Sequence, residues 1–317
     1  MKIPKIQINS EPYITAYNFM LLADHIWIGD DTYNCKSEDI RWLKEKNGID
    51  PEKIEKGDVV YVITDLVERF FNEIHPKITE RYILITGRTD KPLENVNRFI
   101  DNKIITWYSS NLNDDNPKLV GIPLGMQNPH WRRVNNPEGN IRLIQEINDE
   151  TIEKESGVLM AFQPHTNPSV RQPIFNQLKE KDFVTVKNYD NSKRGIDDFQ
   201  KEYYREIRKH KFVVCPWGAG FDCHRNWETW SLGTYPIIKK HLSMENFYDM
   251  PAWFIDDWSE VTKNNMDEKY RDIEFKMEYQ LNNNYNELVN LRKINSDFWV
   301  DMINKDRTFI KYIDNIL

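Results

Sequence analysis

The stretch Phe212–Ile238, FVVCPWGAGFDCHRNWETWSLGTYPII, decides the fold. It reads as strand, glycine loop, helix, glycine stop and strand, the unit from which a parallel sheet is built. The chain has 12 glycines, and Gly218, Gly220 and Gly233 all fall here, so the loop composition is not incidental. Gly218 and Gly220 permit a tight turn and a close approach of a ligand to the backbone. Asp222 stands where an N-cap belongs. The helix start beyond it offers free N–H groups and the positive end of a dipole, which suits a phosphate. Gly233 is placed to stop the helix. Asp222, Arg225 and Glu228 recur at i, i+3 and share a face. Arg225 offers a fork of donors for a diphosphate, and Glu228 an acceptor for two ribose hydroxyls. The same spacing fits an ordinary surface ion pair between Arg225 and Glu228. Trp227 and Trp230, also three apart, fit packing of the helix on its sheet.

Outward from this unit the alternation continues. Strands at Val158–Phe162, Phe183–Lys187, Tyr235–Ile238 and Trp253–Ile255, with helices at Val170–Glu180 and Asp197–Lys209, complete one series. An earlier series has strands at Val59–Thr64, Tyr82–Thr86, Ile104–Tyr108 and Leu119–Pro123, and helices at Leu66–Ile78 and Leu93–Ile100. The NNPEGN run at Asn135–Asn140 breaks the pattern, and a polar helical stretch follows to about Glu155. The expected division is 1–150, 151–275 and a helical tail 276–317, in which Ser296 caps Asp297–Asn304 and a last helix lies near Thr308–Ile316. Two α/β series of similar size predict two doubly wound domains facing a cleft, with the C-terminal helices packing back.

Composition agrees with that size. At roughly 150 residues per domain, 317 residues make two domains. Hydrophobic residues are 39% and aromatics 13% of the chain, enough for a core in each, which argues against global disorder. The formal net charge of −7 argues against a general nucleic-acid binder, which would be basic. No apolar run approaches the roughly 18 residues of a membrane span, and the start MKIPKIQINSEPY lacks the apolar stretch of a signal peptide. The three cysteines, Cys35, Cys215 and Cys223, are not a disulfide framework and fit a reducing compartment. No Asn-x-Ser/Thr acceptor occurs with x other than Pro. The expected location is the cytoplasm; the alternative is a lumenal protein trimmed of its anchor.

The pattern Cys215-Pro216-x-Gly218-x-Gly220-x-Asp222-Cys223-x-Arg225-x-Trp227-Glu228, then Gly233-x-x-Pro236-Ile237, resembles the C-terminal signature of exostosin-like glycosyltransferases, the group that includes ribitol xylosyltransferase-type enzymes. Thr64-Asp65-Leu66, Leu84–Asp90, Lys103–Asn111 and Pro117–Gly125 look similar in the first half, so the resemblance spans roughly residues 59–240. It implies a GT-B fold: two Rossmann-like domains, the second holding a nucleotide-sugar, with Glu228 on the ribose and Arg225 on the diphosphate. Inversion at the anomeric carbon is also implied. The chain departs from the pattern in showing no anchor or disulfides. Its loop reads Gly87-Arg88-Thr89-Asp90 where look-alikes often have His-Asn-Ser-Asp, so the carboxylate is kept and the His is lost.

Asp65 and Asp90 follow strands of the first series, and in open α/β sheets ligands bind outside the carboxyl ends of the strands. Either carboxylate fits the general base that takes a proton from an acceptor hydroxyl, and Asp90 is preferred. Asp65 with Glu68 also fits a helix capping box. Arg171 opens the helix after Val158–Phe162 and fits a diphosphate contact or a solvated helix start. His165 in the intervening loop fits a donor-phosphate contact or an ordinary polar loop. In the segment Asn128–Arg133, Trp131 fits stacking on an acceptor sugar, and Arg132 or Arg133 an acidic acceptor; a surface loop with one anchoring aromatic fits equally. Cys215, Cys223, His210 and His224 lack zinc spacing, and no metal or other cofactor is expected.

The expected activity is transfer of a sugar from a nucleoside-diphosphate donor, a UDP-sugar by preference, to a glycan hydroxyl. The expected partners are that donor and a glycan acceptor, with no nucleic acid and no transmembrane segment. Two rivals use the same scaffold: a nucleotide-sugar epimerase or hydrolase, and a non-catalytic carbohydrate-binding subunit.

Overall fold

The computed structural model describes residues 13–29, 47–127, 141–155, 157–189, 197–283 and 288–313. The chain is α/β and carries two five-stranded sheets, parallel throughout. It divides into two compact units, Met1–Trp131 with Asn295–Leu317, and Arg132–Ile294.

The first unit begins with α1 (Ala16–Leu21) and β1 (His25–Trp27), then β2 (Val59–Ile63), α2 (Val67–Glu73), β3 (Tyr82–Gly87), β4 (Ile104–Ser109) and β5 (Leu119–Gly121). The strands lie in chain order, β1-β2-β3-β4-β5. Every residue of VVYVI in β2 and YILITG in β3 is buried, as continuous apolar runs require of central parallel strands. One face of the sheet packs Val60, Val62, Leu84 and Trp107 against Phe70 and Phe71 of α2. The C-terminal helix Ser296–Ile313 belongs to this unit. Its Asp306 accepts hydrogen bonds from Thr106 Oγ1 and Tyr108 Oη, each 2.7 Å, and its Trp299 packs edge-on against Phe19.

The second unit holds α3 (Ile141–Asn148), β6 (Val158–Met160), α4 (Pro168–Leu178), β7 (Val184–Val186), α5 (Asp197–Lys209), β8 (Phe212–Val214), α6 (His224–Ser231), β9 (Tyr235–Lys239), β10 (Trp253–Ile255) and α7 (Lys263–Asn283). The strand order is β10-β9-β8-β6-β7. The order reverses between β6 and β8. A sheet wound this way places helices on both faces and opens a crevice at the carboxyl ends of the two strands where the winding changes direction.

Three expectations are corrected. The helix expected at Leu93–Ile100 is only a 3-10 turn at Asn97–Phe99. Asn95 takes a left-handed φ of 57°, and the Asp114 carboxylate accepts from Val96 N and Asn97 Nδ2, so side-chain bonds replace helical ones. The boundary expected at residue 150 lies nearer 131, because α3 packs on α5 through Arg142–Asp197 at 2.7 Å and Lys201–Glu146 at 2.6 Å. The tail is not a separate piece: α7 stays with the second unit, and Ser296–Ile313 is one continuous helix of the first. Elements α1 and β1 were not expected at all. No helix among the described residues is long and apolar enough to cross a membrane.

Candidate functional site

The crevice between β6 and β8 is built by three segments that leave the carboxyl ends of those strands. The first is the turn after β6, whose Gln163 carbonyl meets Arg171 at 3.3 Å. The second is the glycine loop after β8, and the third is the start of α6. Arg171 joins the first two. It lies in the opening turns of α4, is 5% exposed, and its Nε donates to Trp217 O at 2.7 Å and its Nη2 to Pro216 O at 3.3 Å. Asn167, the residue before α4, donates from Nδ2 to Gly218 O at 2.7 Å. Gly218 lies close under this guanidinium: a Cβ there would stand 3.1 Å from Arg171 Nη2, so a side chain would make the guanidinium shift by a few tenths of an ångström. The loop closes on itself through Gly218 N to Gly220 O at 3.0 Å.

Arg225 enters from the other side. It is the second residue of α6 and half-buried. Its Nε donates to Tyr203 Oη at 3.2 Å, and its Nη2 to Ala161 O at 3.4 Å. Two guanidinium groups therefore converge on the carbonyl-rich ends of β6 and β8. Neither pairs with a carboxylate among the described residues; their partners are carbonyls and the Tyr203 hydroxyl. Burial, aided by the charge of Arg225, pulls Arg171 down to about 10. Burial alone would lower Arg225 too, but the Tyr203 hydroxyl and the Cys223 and Cys215 sulfurs around it hold it above its ordinary value. Both remain cations at neutral pH. Two poorly solvated positive charges without a counter-charge favour a polyvalent anion placed beside them.

Two sequence-derived roles change on this geometry. Asp222 is not the N-cap: that position is Cys223, and Asp222 stands one residue earlier, 2% exposed. Its carboxylate accepts from Cys223 N, Asn226 Nδ2 and Trp227 Nε1, each at 2.8 Å, so it is consumed inside the protein and pins the loop to α6. Glu228 forms no ion pair with Arg225. It lies 1% exposed one turn deeper, where its Oε1 accepts from Tyr204 Oη at 3.2 Å. Gly233 stops α6 as expected, with φ 66° and N bonded to Trp230 O. Trp227 and Trp230 are buried, with rings 5.1 Å apart, as packing residues. His165 is exposed in the 3-10 turn after β6.

In the first unit, Asp65 and Asp90 follow the neighbouring strands β2 and β3, paired in register as far as Ile63 and Gly87, and both are exposed. The capping box is absent: the N-cap of α2 is Leu66 without a side-chain bond, and Glu68 accepts instead from Arg98 at 3.0 Å. Asp90 caps no helix either. Arg88, 6% exposed with φ 66°, turns the chain sharply between β3 and Asp90. Strained non-glycine backbone of this kind is retained where the surroundings enforce it. Trp131 and Arg132 lie outside the described residues. Among those residues no group of three His, Cys, Asp or Glu side chains is placed to hold a metal ion.

Asn167, Tyr203 and Tyr204 were not anticipated. The two tyrosines sit on the buried face of α5, and the placement of α6 beside it brings their hydroxyls to Arg225 and Glu228.

No protein-family profile matches the chain, and no curated protein sequence matches it. Among solved structures it is similar to the pneumococcal O-GlcNAc transferase GtfA in complex with UDP and GlcNAc, at 13% identity over 82% of this chain and 58% of that one, TM-score 0.36. It is similar to the spinosyn rhamnosyltransferase SpnG complexed with thymidine diphosphate, at 11% identity over 81% and 72% of the two chains, TM-score 0.32. It is also similar to an α1,3-fucosyltransferase, at 13% identity over 82% and 93%, TM-score 0.32. The chain thus spans little more than half the length of the first of these. These are distant likenesses, and the site is read from its own geometry.

Proposed function

We propose that the chain is a glycosyltransferase of the GT-B class that moves a sugar from a nucleoside-diphosphate donor, a UDP-sugar by preference, to a glycan hydroxyl. The observation that carries the reading is the pair Arg171 and Arg225 at the β6–β8 reversal, two buried or half-buried cations with no carboxylate partner among the described residues. The glycine loop and the eight-residue helix behind it agree with a diphosphate at that point. The exostosin-like spacing of residues 215–237 agrees with a sugar nucleotide as the molecule that carries it.

In this reading Arg171, Arg225 and the backbone of Gly218–Gly220 hold the diphosphate, with His165 at the rim. Glu228 meets the ribose, and Tyr204 holds its carboxylate until the donor arrives. Asp90, with Asp65 as the second candidate, takes the proton of the acceptor hydroxyl. The freed oxygen attacks the anomeric carbon from the side opposite the diphosphate, and the bond to the β-phosphate oxygen breaks with inversion. The charge that develops on the leaving diphosphate falls on the two guanidinium groups, which are already in position and require no reorganisation. The reading needs no metal. Trp131 and Arg132 are the proposed acceptor contacts.

The test is incubation of the purified chain with UDP-, GDP- and CMP-sugars, followed by NMR for free nucleotide and sugar products, with Glu228→Ala alongside. Release of one nucleotide from one donor, lost in the variant, supports the proposal. Conversion of the donor sugar without nucleotide release points to an epimerase. Absence of both turnover and donor binding leaves a carbohydrate-binding subunit.

A further inference from the structure

Beside Arg171 lies an aromatic cluster that the proposed function does not use. Trp217 and Phe221 come from the loop after β8, and His241 follows β9. Phe221 and His241 are stacked, with ring centroids 3.7 Å apart and planes 19° apart. Trp217 meets both edge-on at 5.1 Å. All three are only partly buried, and none is among the residues of the apolar core beneath this sheet. The cluster begins beside the anion site, because the Trp217 carbonyl is the 2.7 Å acceptor of Arg171 Nε.

The polar atoms of the cluster share one character. Trp217 Nε1 is buried and has no hydrogen-bond partner among the described residues. Indole N–H is a donor only. His241 Nδ1 accepts from Ser243 N at 3.1 Å, which fixes the proton of the neutral ring on Nε2. Burial lowers the His241 pKa, so the neutral form is the one present at pH 7 and above. Two ring donors thus stand beside aromatic surface next to a diphosphate site. Stacking recognises any base, whereas donors select a base that presents carbonyl oxygens over one that presents an amino group.

We propose that Trp217, Phe221 and His241 form the nucleobase platform of the donor site, selective for a base with two ring carbonyls, as in uracil or thymine, over adenine. The inference rests on the diphosphate reading of Arg171 and Arg225. A cluster that merely braced the glycine loop would affect every anion alike, and the experiment separates the two.

The affinities of UDP, ADP and inorganic pyrophosphate for the full chain are measured by calorimetry, with His241→Ala, Phe221→Leu and Trp217→Phe. In the native chain UDP binds at least about tenfold more tightly than pyrophosphate, and ADP falls near pyrophosphate. His241→Ala and Phe221→Leu bring UDP toward the pyrophosphate level and leave pyrophosphate unchanged. Trp217→Phe keeps a ring, loses the N–H and narrows the gap between UDP and ADP. Equal affinity for UDP and pyrophosphate, or for UDP and ADP, in the native chain overturns the platform while the diphosphate site stands. Equal loss of UDP and pyrophosphate in the first two variants also overturns it, in favour of bracing. Failure of all three ligands to bind contradicts the diphosphate reading itself.

Discussion

The Arg171 guanidinium stands over Gly218, with Nη2 3.1 Å from the position a Cβ there would take, a tight contact. The arginine comes from a helix after β6 and the glycine from a loop after β8, so one glycine lets two strands' worth of loop share a cation. The carbonyls of Pro216 and Trp217 fix that cation in place.

Gly218→Ala is therefore expected to fold and to bind diphosphate poorly. The added methyl displaces the end of Arg171, costing about 1 kcal/mol in stability and about tenfold in UDP affinity. Thermal unfolding and calorimetry on the same preparation check both, and native affinity in the variant would show that Arg171 does not touch the ligand.

Asp222→Ala is expected to be a stability mutation. The change strands three donors, Cys223 N, Asn226 Nδ2 and Trp227 Nε1, and the expected loss is about 3 kcal/mol. Urea unfolding reads it directly. A variant as stable as the native chain would mean that the carboxylate is free for ligand.

Asp90→Asn is expected to lower sugar transfer by about 10²–10⁴-fold, the usual contribution of a general base, and to leave UDP affinity intact. Asp65→Asn should do much less. Steady-state transfer rates with matched binding data distinguish them, and full activity of the Asp90 variant would remove it from the mechanism.

Lys154 gives a pH signature away from the site. Its Nζ donates to the carbonyls of Arg208 and His210 and to Thr234 Oγ1, and burial lowers its pKa from 10.5 to about 8. Between those values the unfolded chain holds the proton more firmly than the native one, so the contribution of this group to stability rises with pH. Below pH 8 the penalty is constant. The unfolding free energy of the native chain minus that of Lys154→Met should accordingly rise from pH 8 to pH 10, measured by urea titration. A native-minus-variant value that stays flat or falls over that range would contradict the assignment.

The parts of this fold that were legible were the local ones. Strands such as VVYVI and the glycine-flanked helix of residues 224–231 announce themselves within a dozen residues, and so does Arg225 at its start. The contacts of Arg171 were not legible, because its loop acceptors lie 45 and 46 residues away and only the strand order brings them near. The same holds for Tyr204 and Glu228, 24 apart. Asp222 misled by a single position: an Asp before a helix reads as a cap, and its donors are the adjacent Cys223 N and two side chains further along, Asn226 Nδ2 and Trp227 Nε1. The three-residue strand HIW at 25–27 was too short for any alternation to show. Leu93–Ile100 was expected as a helix, but Asn95 and the Asp114 carboxylate settled it otherwise.

The most direct test of the central claim is a titration of UDP into the native chain, Arg171→Gln and Arg225→Gln, followed by ³¹P NMR and calorimetry. Saturable binding to the native chain, with shifted phosphorus resonances and a loss of about tenfold or more in each variant, is the predicted result. No binding to the native chain, or the same affinity in all three proteins, would contradict a diphosphate site at the β6–β8 reversal.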